Sequence, residues 1–322
     1  MVTGFVAGKG QKEALNLRQM NIKKLEQIES ILSEIVLGKE LEVKLSLACL
    51  LSKGHLLIED VPGVGKTTLV QALARLLGFD ISRIQCTNDL LPADIIGTNI
   101  FIKETSEFKF KEGPLINHFV LADELNRATP KTQSALLQAM EEGSVSHEQG
   151  TIELPRPFLL VATQNPFDQI GTHLLPESQL DRFRMSLYLD LPSREIERKI
   201  LLLPDRDRRF FDLDPVVNQN EFELYQEEAM KVILSDSIAD YALDLLEYAR
   251  SHCEEGFLSS RAGRDLLVVS KCFAFLQGRD HVLPEDLQEV SPYVWGHRLG
   301  GHRGVKYGSE IVKGILPHVK LN

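Results

Sequence analysis

The chain has 322 residues, enough for one large or two moderate domains with a substantial buried core. Its 43% hydrophobic and 25% charged content is that of an ordinary globular protein. The formal net charge of −10 is spread along the chain rather than collected in a tail, which argues against sequence-independent binding of nucleic acid over the whole surface.

Apolar periodicity predicts amphipathic helices over residues 22–36 and 39–51. A rhythm of short apolar strands and helices follows: a strand at 55–60, a helix at 67–77, a strand at 81–87 and a short helical turn at Pro92–Ile96. Residues 100–111 alternate apolar and polar side chains around Glu104-Thr105-Ser106-Glu107, the pattern of a β-hairpin. A strand at 118–123, a helix at Pro130–Glu142, a second hairpin at 144–154 entered through Gly143, and strands at 158–163 and 186–191 complete this half. Runs such as Phe119-Val120-Leu121-Ala122 suit strands covered on both faces, as in a parallel α/β sheet. After Pro192 strand signals vanish, and helical periodicity runs through 193–203, 221–253, 258–276 and Pro284–Leu299. The polar stretch 204–220 reads as a linker, which predicts an α/β domain over 1–200 and an all-α domain over 201–322.

Between the first strand and its helix stands Asp60-Val61-Pro62-Gly63-Val64-Gly65-Lys66-Thr67-Thr68. A glycine-rich turn entering a helix N-terminus is what a phosphate-binding loop requires. Gly63 and Gly65 let backbone N–H groups turn inward, Lys66 reaches the terminal phosphates of ATP, and the Thr67 hydroxyl ligates Mg²⁺. Asp60 stands where the usual pattern has its first glycine, and a bare Gly-Lys-Thr also occurs at ordinary helix starts. Two further strand ends strengthen the reading. Phe119–Asp123 leads into Glu124, so that Asp123 can serve the metal and Glu124 can activate water. The strand at 158–163 runs into Gln164-Asn165-Pro166, which places Asn165 where open α/β sheets bind ligands. Arg182 and Arg261 are candidates for the extra cationic charge that phosphoryl transfer needs, although a single arginine is more often a surface ion pair.

With these residues in place, the chain resembles the MoxR-type AAA+ ATPases of the helix-2-insert group, from about residue 22 to its end. The segments that carry the resemblance are Gly54-His55, the phosphate loop, Leu91-Pro92-Ala93-Asp94-Ile95-Ile96-Gly97, Ala122-Asp123-Glu124-Leu125-Asn126-Arg127-Ala128, Ala162-Thr163-Gln164-Asn165-Pro166, Leu175-Pro176-Glu177-Ser178-Gln179-Leu180-Asp181-Arg182-Phe183 and Pro284-Glu285-Asp286-Leu287. The resemblance implies a P-loop core with a parallel five-stranded sheet followed by an all-α lid. It implies that Asp123 and Glu124 are the Walker B pair, Asn165 sensor 1, Arg261 sensor 2 on the γ-phosphate, and Arg182 an arginine finger reaching a neighbour's ATP. Arg127 becomes a second candidate for a contact across that boundary, and Val36-Leu37-Gly38 would lie against adenine. Homo-hexameric rings, chaperone-like remodelling and partners with a von Willebrand factor A domain are also implied. Lys39 where the family usually has Gln, Ile170 where an acidic residue is common, and Ser259-Ser260 in place of Ser-Pro depart from the pattern without removing a hydrolytic group.

A DNA-translocating motor, a metal-chelatase motor subunit and an ATP-gated scaffold are the rival readings. The acidic charge and the lack of a recognisable nucleic-acid module weigh against the first. His297 and His302 read as part of a basic loop rather than a metal site, and Asp205-Arg206-Asp207-Arg208-Arg209 as a solvated, self-paired linker surface. Cys49, Cys86, Cys253 and Cys272 are isolated, without metal or disulfide spacing. No basic-then-apolar leader pattern opens the chain, and the most apolar stretch, 45–58, is interrupted by Lys53, Gly54 and His55. A cytosolic protein without membrane insertion is therefore expected.

Overall fold

The computed structural model describes residues 4–59, 65–147, 150–165, 171–202, 213–253 and 256–321, with 4–18 as backbone only. Helix α1 (Gly4–Ile35) buries Leu25, Ile28 and Leu32 along one stripe and extends well N-terminal of the expected start. Gly38, at φ 71°, makes the left-handed turn into α2 (Glu40–Leu51). Then follow β1 (Leu56–Glu59), α3 (Lys66–Leu76), β2 (Ile81–Gln85) and α4 (Pro92–Ile96). A hairpin of β3 (Gly97–Ile102) and β4 (Glu107–Glu112) interrupts the α/β alternation, which resumes with β5 (Phe119–Asp123) and α5 (Pro130–Glu142). Thr129 caps α5, Pro130 opens it, and Gly143 in the left-handed region closes it. The second hairpin, β6 (Ser144–His147) with β7 (Gly150–Glu153), leads to β8 (Leu159–Gln164), α6 (Glu177–Leu180) and β9 (Met185–Tyr188). Both hairpins stand where alternation predicts them, and they touch: the Phe110 and His147 rings lie 4.7 Å apart.

The main sheet is five-stranded in the order β2-β5-β8-β1-β9, with every pairing parallel. Period-two alternation sorts its side chains between two cores. Leu56, Ile58, Leu121 and Val161 face one that includes α1, α2, α3 and the later helices. Leu57, Val120, Ala122 and Leu160 face the other, which includes α5. Strand β1 connects toward β2 on one side while β8 connects toward β9 on the other. The crevice at the carboxyl ends of β1 and β8 is therefore the switch point of the sheet.

The helical part comprises α7 (Arg194–Leu202), α8 (Gln219–Met230), α9 (Asp236–His252), α10 (Ser260–Leu276), α11 (Pro284–Leu299) and α12 (Gly304–Ile315). The continuous helical run expected over 221–253 is two helices, because Ser235 caps a new one and Ile233 pairs with His281 in an isolated bridge. The last strand stops at Tyr188, short of the expected 191, and Leu191 is exposed. Helix α12 has no counterpart in the expectation, whose helical periodicity ends at Leu299. His297 is likewise no loop residue. It is buried on α11, with Nε2 3.1 Å from the Phe183 carbonyl and Nδ1 3.0 Å from the Ser186 hydroxyl. The apolar core does not divide near residue 200: Leu47 and Leu50 of α2 share one cluster with Leu266 and Phe273 of α10. The linker run 205–209 lies outside the described residues.

Candidate active site

Helix α3 begins at Lys66, preceded by Gly65 at φ 92°, a conformation that glycine adopts without strain. Thr67 and Thr68 occupy the first helical turn, so the positive end of the helix and three polar side chains meet at the carboxyl edge of β1. Pro62, Gly63 and Val64 lie outside the described residues. Val36 is buried close to Gly65, a Cβ on which would stand 3.9 Å from its side chain. Leu37 is half-buried and Gly38 exposed, and Ile196 of α7 packs over Gly38 at 3.2 Å from a built Cβ. Ile196 is a neighbour of this corner that sequence reading missed. Lys39 is buried and paired with Glu42 at 3.5 Å.

Two strands away, Asp123 ends β5 only 8% exposed. The Thr163 hydroxyl of β8 donates to its Oδ1 at 2.6 Å, and Arg83 of β2 donates from Nη2 to its Oδ2 at 2.6 Å. Glu124 follows at φ 57°, a left-handed conformation uncommon outside glycine and characteristic of strained functional positions. Its N–H donates to the same Thr163 hydroxyl at 2.9 Å. Its carboxylate accepts from Gln85 at 3.3 Å and from Arg127 at 3.2 Å. One buried threonine therefore fixes both acidic residues, and alternate residues of β2 hold both carboxylates. Sequence reading missed Thr163, Arg83 and Gln85. The detectable signal was Arg83 and Gln85 two apart on an edge strand, pointing the same way. Asn165, immediately past β8, accepts through its backbone oxygen from Asn126 Nδ2 at 3.1 Å.

Thr67 and Asp123 carry oxygen donors of the hard kind that Mg²⁺ prefers, and would be the residues to hold it. Among the described residues no cluster of three or more His, Cys, Asp or Glu could hold a metal without such help. Burial pushes the Cys86 thiol beside this edge up to about 12, with Asp123 and Glu124 adding to the shift, so it stays a neutral hydrophobe.

The two arginines lie elsewhere. Arg182 Nη2 is 2.9 Å from Glu141 Oε2, and Arg261 Nη1 is 3.8 Å from Glu141 Oε1. Glu141 is in the last turn of α5, next to Met140, whose carbonyl meets the His55 ring at 3.2 Å just before β1 begins. The Arg184 N–H donates to the His55 carbonyl at 3.0 Å. This is the amino edge of the parallel sheet, separated from Lys66 and Asp123 by the length of β1, roughly 13 Å for four extended residues. The expectation that Arg261 meets the γ-phosphate of its own chain does not match this placement; α10 sets it beside Arg182 instead. A buried network locks the pair: Arg298 binds Asp181 at 2.7 Å and Asp265 at 2.7 Å, and Ser259 donates to Asp181 at 3.1 Å.

Residues 55–185 match the family model described as the ATPase family associated with various cellular activities (AAA), and residues 247–311 match the AAA lid domain. The chain is 38% identical to chaperone MoxR1 of Mycobacterium tuberculosis over 82% of its own length and 72% of that protein. It belongs to the MoxR family of AAA+ ATPases. It is also 42% identical to the uncharacterised protein YeaC of Bacillus subtilis, over 90% of its own length and 92% of YeaC. A crystal structure from Cytophaga hutchinsonii, of a protein provisionally assigned as an ATPase, superimposes with a TM-score of 0.86 at 34% identity, covering 97% of this chain and 99% of that one. The AAA+ core and lid expected of a MoxR-type chain are thus present, in a parallel five-stranded sheet followed by helices.

Proposed function

We propose that this chain hydrolyses Mg·ATP at the carboxyl edge of its sheet and uses the cycle to remodel a partner protein. The observation that carries the reading is the Thr163 hydroxyl holding Asp123 and Glu124 at the end of β5, two strands from β1 and the Gly65-Lys66-Thr67 helix start that follows it. Lys66 and the amino end of α3 bind the phosphates, with residues 62–64 and Thr68 completing the cradle. Thr67 and Asp123 would hold Mg²⁺, which when bound would supply neutralisation of charge on the phosphoryl oxygens. Glu124 orients and deprotonates the attacking water, and Asn165 helps to hold that water against the γ-phosphate. Val36, Leu37 and Gly38 wall the nucleotide base.

The site is complete only between two copies. Arg182 and Arg261 face away from the chain's own phosphates, so both serve the neighbouring subunit in a homo-oligomeric ring, a hexamer in this reading. Residues 1–200 act as the nucleotide-binding unit and 201–322 as the lid. The β3–β4 hairpin carries exposed Ile100, Phe101 and Phe108 and touches the β6–β7 hairpin, which suits one apolar working surface for a partner. Chaperone MoxR1 supplies the precedent for such action by its name; proteins with a von Willebrand factor A domain are the partner class we favour. Among the described residues no helix is long and apolar enough to cross a membrane. With its cysteines free, the protein fits a reducing cytosol.

The test is Glu124→Gln. Binding of a fluorescent ATP analogue should be retained while turnover falls by about 10²–10⁴, the range for loss of a general base. Turnover within a few-fold of the parent would move water activation to another residue.

A further inference from the structure

Glu59 is the last residue of β1, immediately before the phosphate loop, and is 6% exposed. Each of its carboxylate oxygens has a different partner. Oε2 accepts from Gln164 Nε2 at 2.6 Å, and Oε1 accepts from the Val305 N–H at 2.6 Å. Gln164 pairs with Glu59 in the parallel register of β1 and β8 and immediately precedes Asn165. Val305 is in the first turn of α12, whose positive end therefore points at the carboxylate. The helix is further tied to the sheet by Lys306 to Asp190 at 2.6 Å and Lys313 to Tyr188 at 3.1 Å. Gly304 explains how α12 comes so close. Its φ is 87°, and a Cβ there would stand 2.3 Å from Glu59 Oε1, so a larger residue would push the carboxylate aside.

One buried carboxylate thus joins the strand entering the phosphate loop, the strand leading to Asn165 and the start of a lid helix. Charge-assisted bonds of this length are among the strongest a side chain makes, and burial raises the cost of leaving any of them unmade. A displacement of either strand tip must move the carboxylate, and the carboxylate can follow only by dragging or releasing α12. We propose that Glu59 is a positioning residue that couples nucleotide state at the β1 and β8 tips to the seating of lid helix α12, with Gly304 as the clearance that lets the contact form. The proposal rests on the reading that ATP binds at residues 62–68.

The experiment is hydrogen exchange on the full chain in the Glu124→Gln background, with and without Mg·ATP, for the parent, E59Q and G304A. Glutamine keeps the shape of Glu59 but presents an N–H₂ to one of the two donors; the Gly304 change attacks the same contact from the helix side. In the parent, Mg·ATP should change exchange in the first turn of α12 by roughly tenfold or more, on the scale of sub-global opening. In both variants that response should vanish while protection of residues 65–68 and affinity for ATP persist. Combining the two changes should add nothing further. An α12 response that survives in E59Q, or that is absent from a parent protected at 65–68, overturns the coupling. Absence of ATP protection at 65–68 in every chain would instead overturn the nucleotide reading beneath it.

Discussion

Thr163 shows how much of the site rests on one uncharged side chain. Its hydroxyl donates to Asp123 and accepts from the Glu124 N–H, so it positions two residues at once. Thr163→Val keeps the shape and removes both bonds, leaving a buried acceptor and donor unmet at about 1–3 kcal/mol. Urea unfolding should report that loss, and turnover should fall at least tenfold because Glu124 no longer holds its left-handed turn; unchanged turnover would show that the turn is fixed by other contacts. Asp123 and Glu124 were legible in the sequence because an apolar strand ending in two carboxylates is a local pattern. Thr163, Arg83, Gln85 and Glu59 were not. These partners lie 39 to 246 positions away, and only the strand order and the return of α12 to the sheet bring them together. The place of Arg261 beside Arg182 was hidden for the same reason, since nothing local says at which end of the sheet α10 begins.

Elements were read well wherever periodicity was regular. Apart from the early end of the last strand, the strands of the sheet, both hairpins and the helices at Pro130–Glu142 and Pro284–Leu299 stand where the pattern put them, because burial on both faces of the sheet demands apolar runs. The failures lie where a short break divides helices at 231–235, whose apolar Val232, Ile233 and Leu234 conceal it in the sequence, and at α12. Helix α11 hides its role in the same way. Its Arg298 looks like a surface residue in sequence, yet it is buried between Asp181 and Asp265 and clamps α10 to the segment carrying Arg182. Arg298→Met removes the cation and leaves two acidic groups short of a partner, at a cost of about 3 kcal/mol or more. A denaturation midpoint unchanged by this substitution would show that the ion-pair network contributes nothing net.

Two histidines, half-buried His55 and buried His297, sit where the surroundings favour the neutral form. His55 accepts at Nδ1 from the Leu160 N–H and meets the Met140 carbonyl through Nε2, a pattern that only the Nε2–H tautomer satisfies. Burial, with further lowering from Arg184 and Arg261, takes its pKa down to about 4, and burial together with Arg298 lowers that of His297 well below its ordinary value. Both pKa values are depressed on folding, so the unfolded chain binds protons first as pH drops. Stability is therefore fully present above about pH 6.5 and declines as pH falls toward 4. Urea unfolding at pH 5 should show a loss of about 2 kcal/mol from His55 alone relative to pH 7.5; a flat or rising profile over that range would contradict neutral burial.

The proposed assembly rests on one geometric fact: Lys66, Thr67 and Asp123 sit at one end of the strands and Arg182 and Arg261 at the other. The account stands or falls on whether two copies share each site. Lys66→Ala abolishes phosphate binding and Arg182→Ala removes the donated cation, so each variant alone should lose turnover by about 10³ or more. Mixed in equal amounts under conditions that allow rings to exchange subunits, they should regain about a quarter of the parental ATPase activity, since a Lys66-bearing site meets an Arg182-bearing neighbour at that frequency by chance. No recovery in rings shown to contain both chains would mean that each copy completes its own site, and the shared-site account would be wrong.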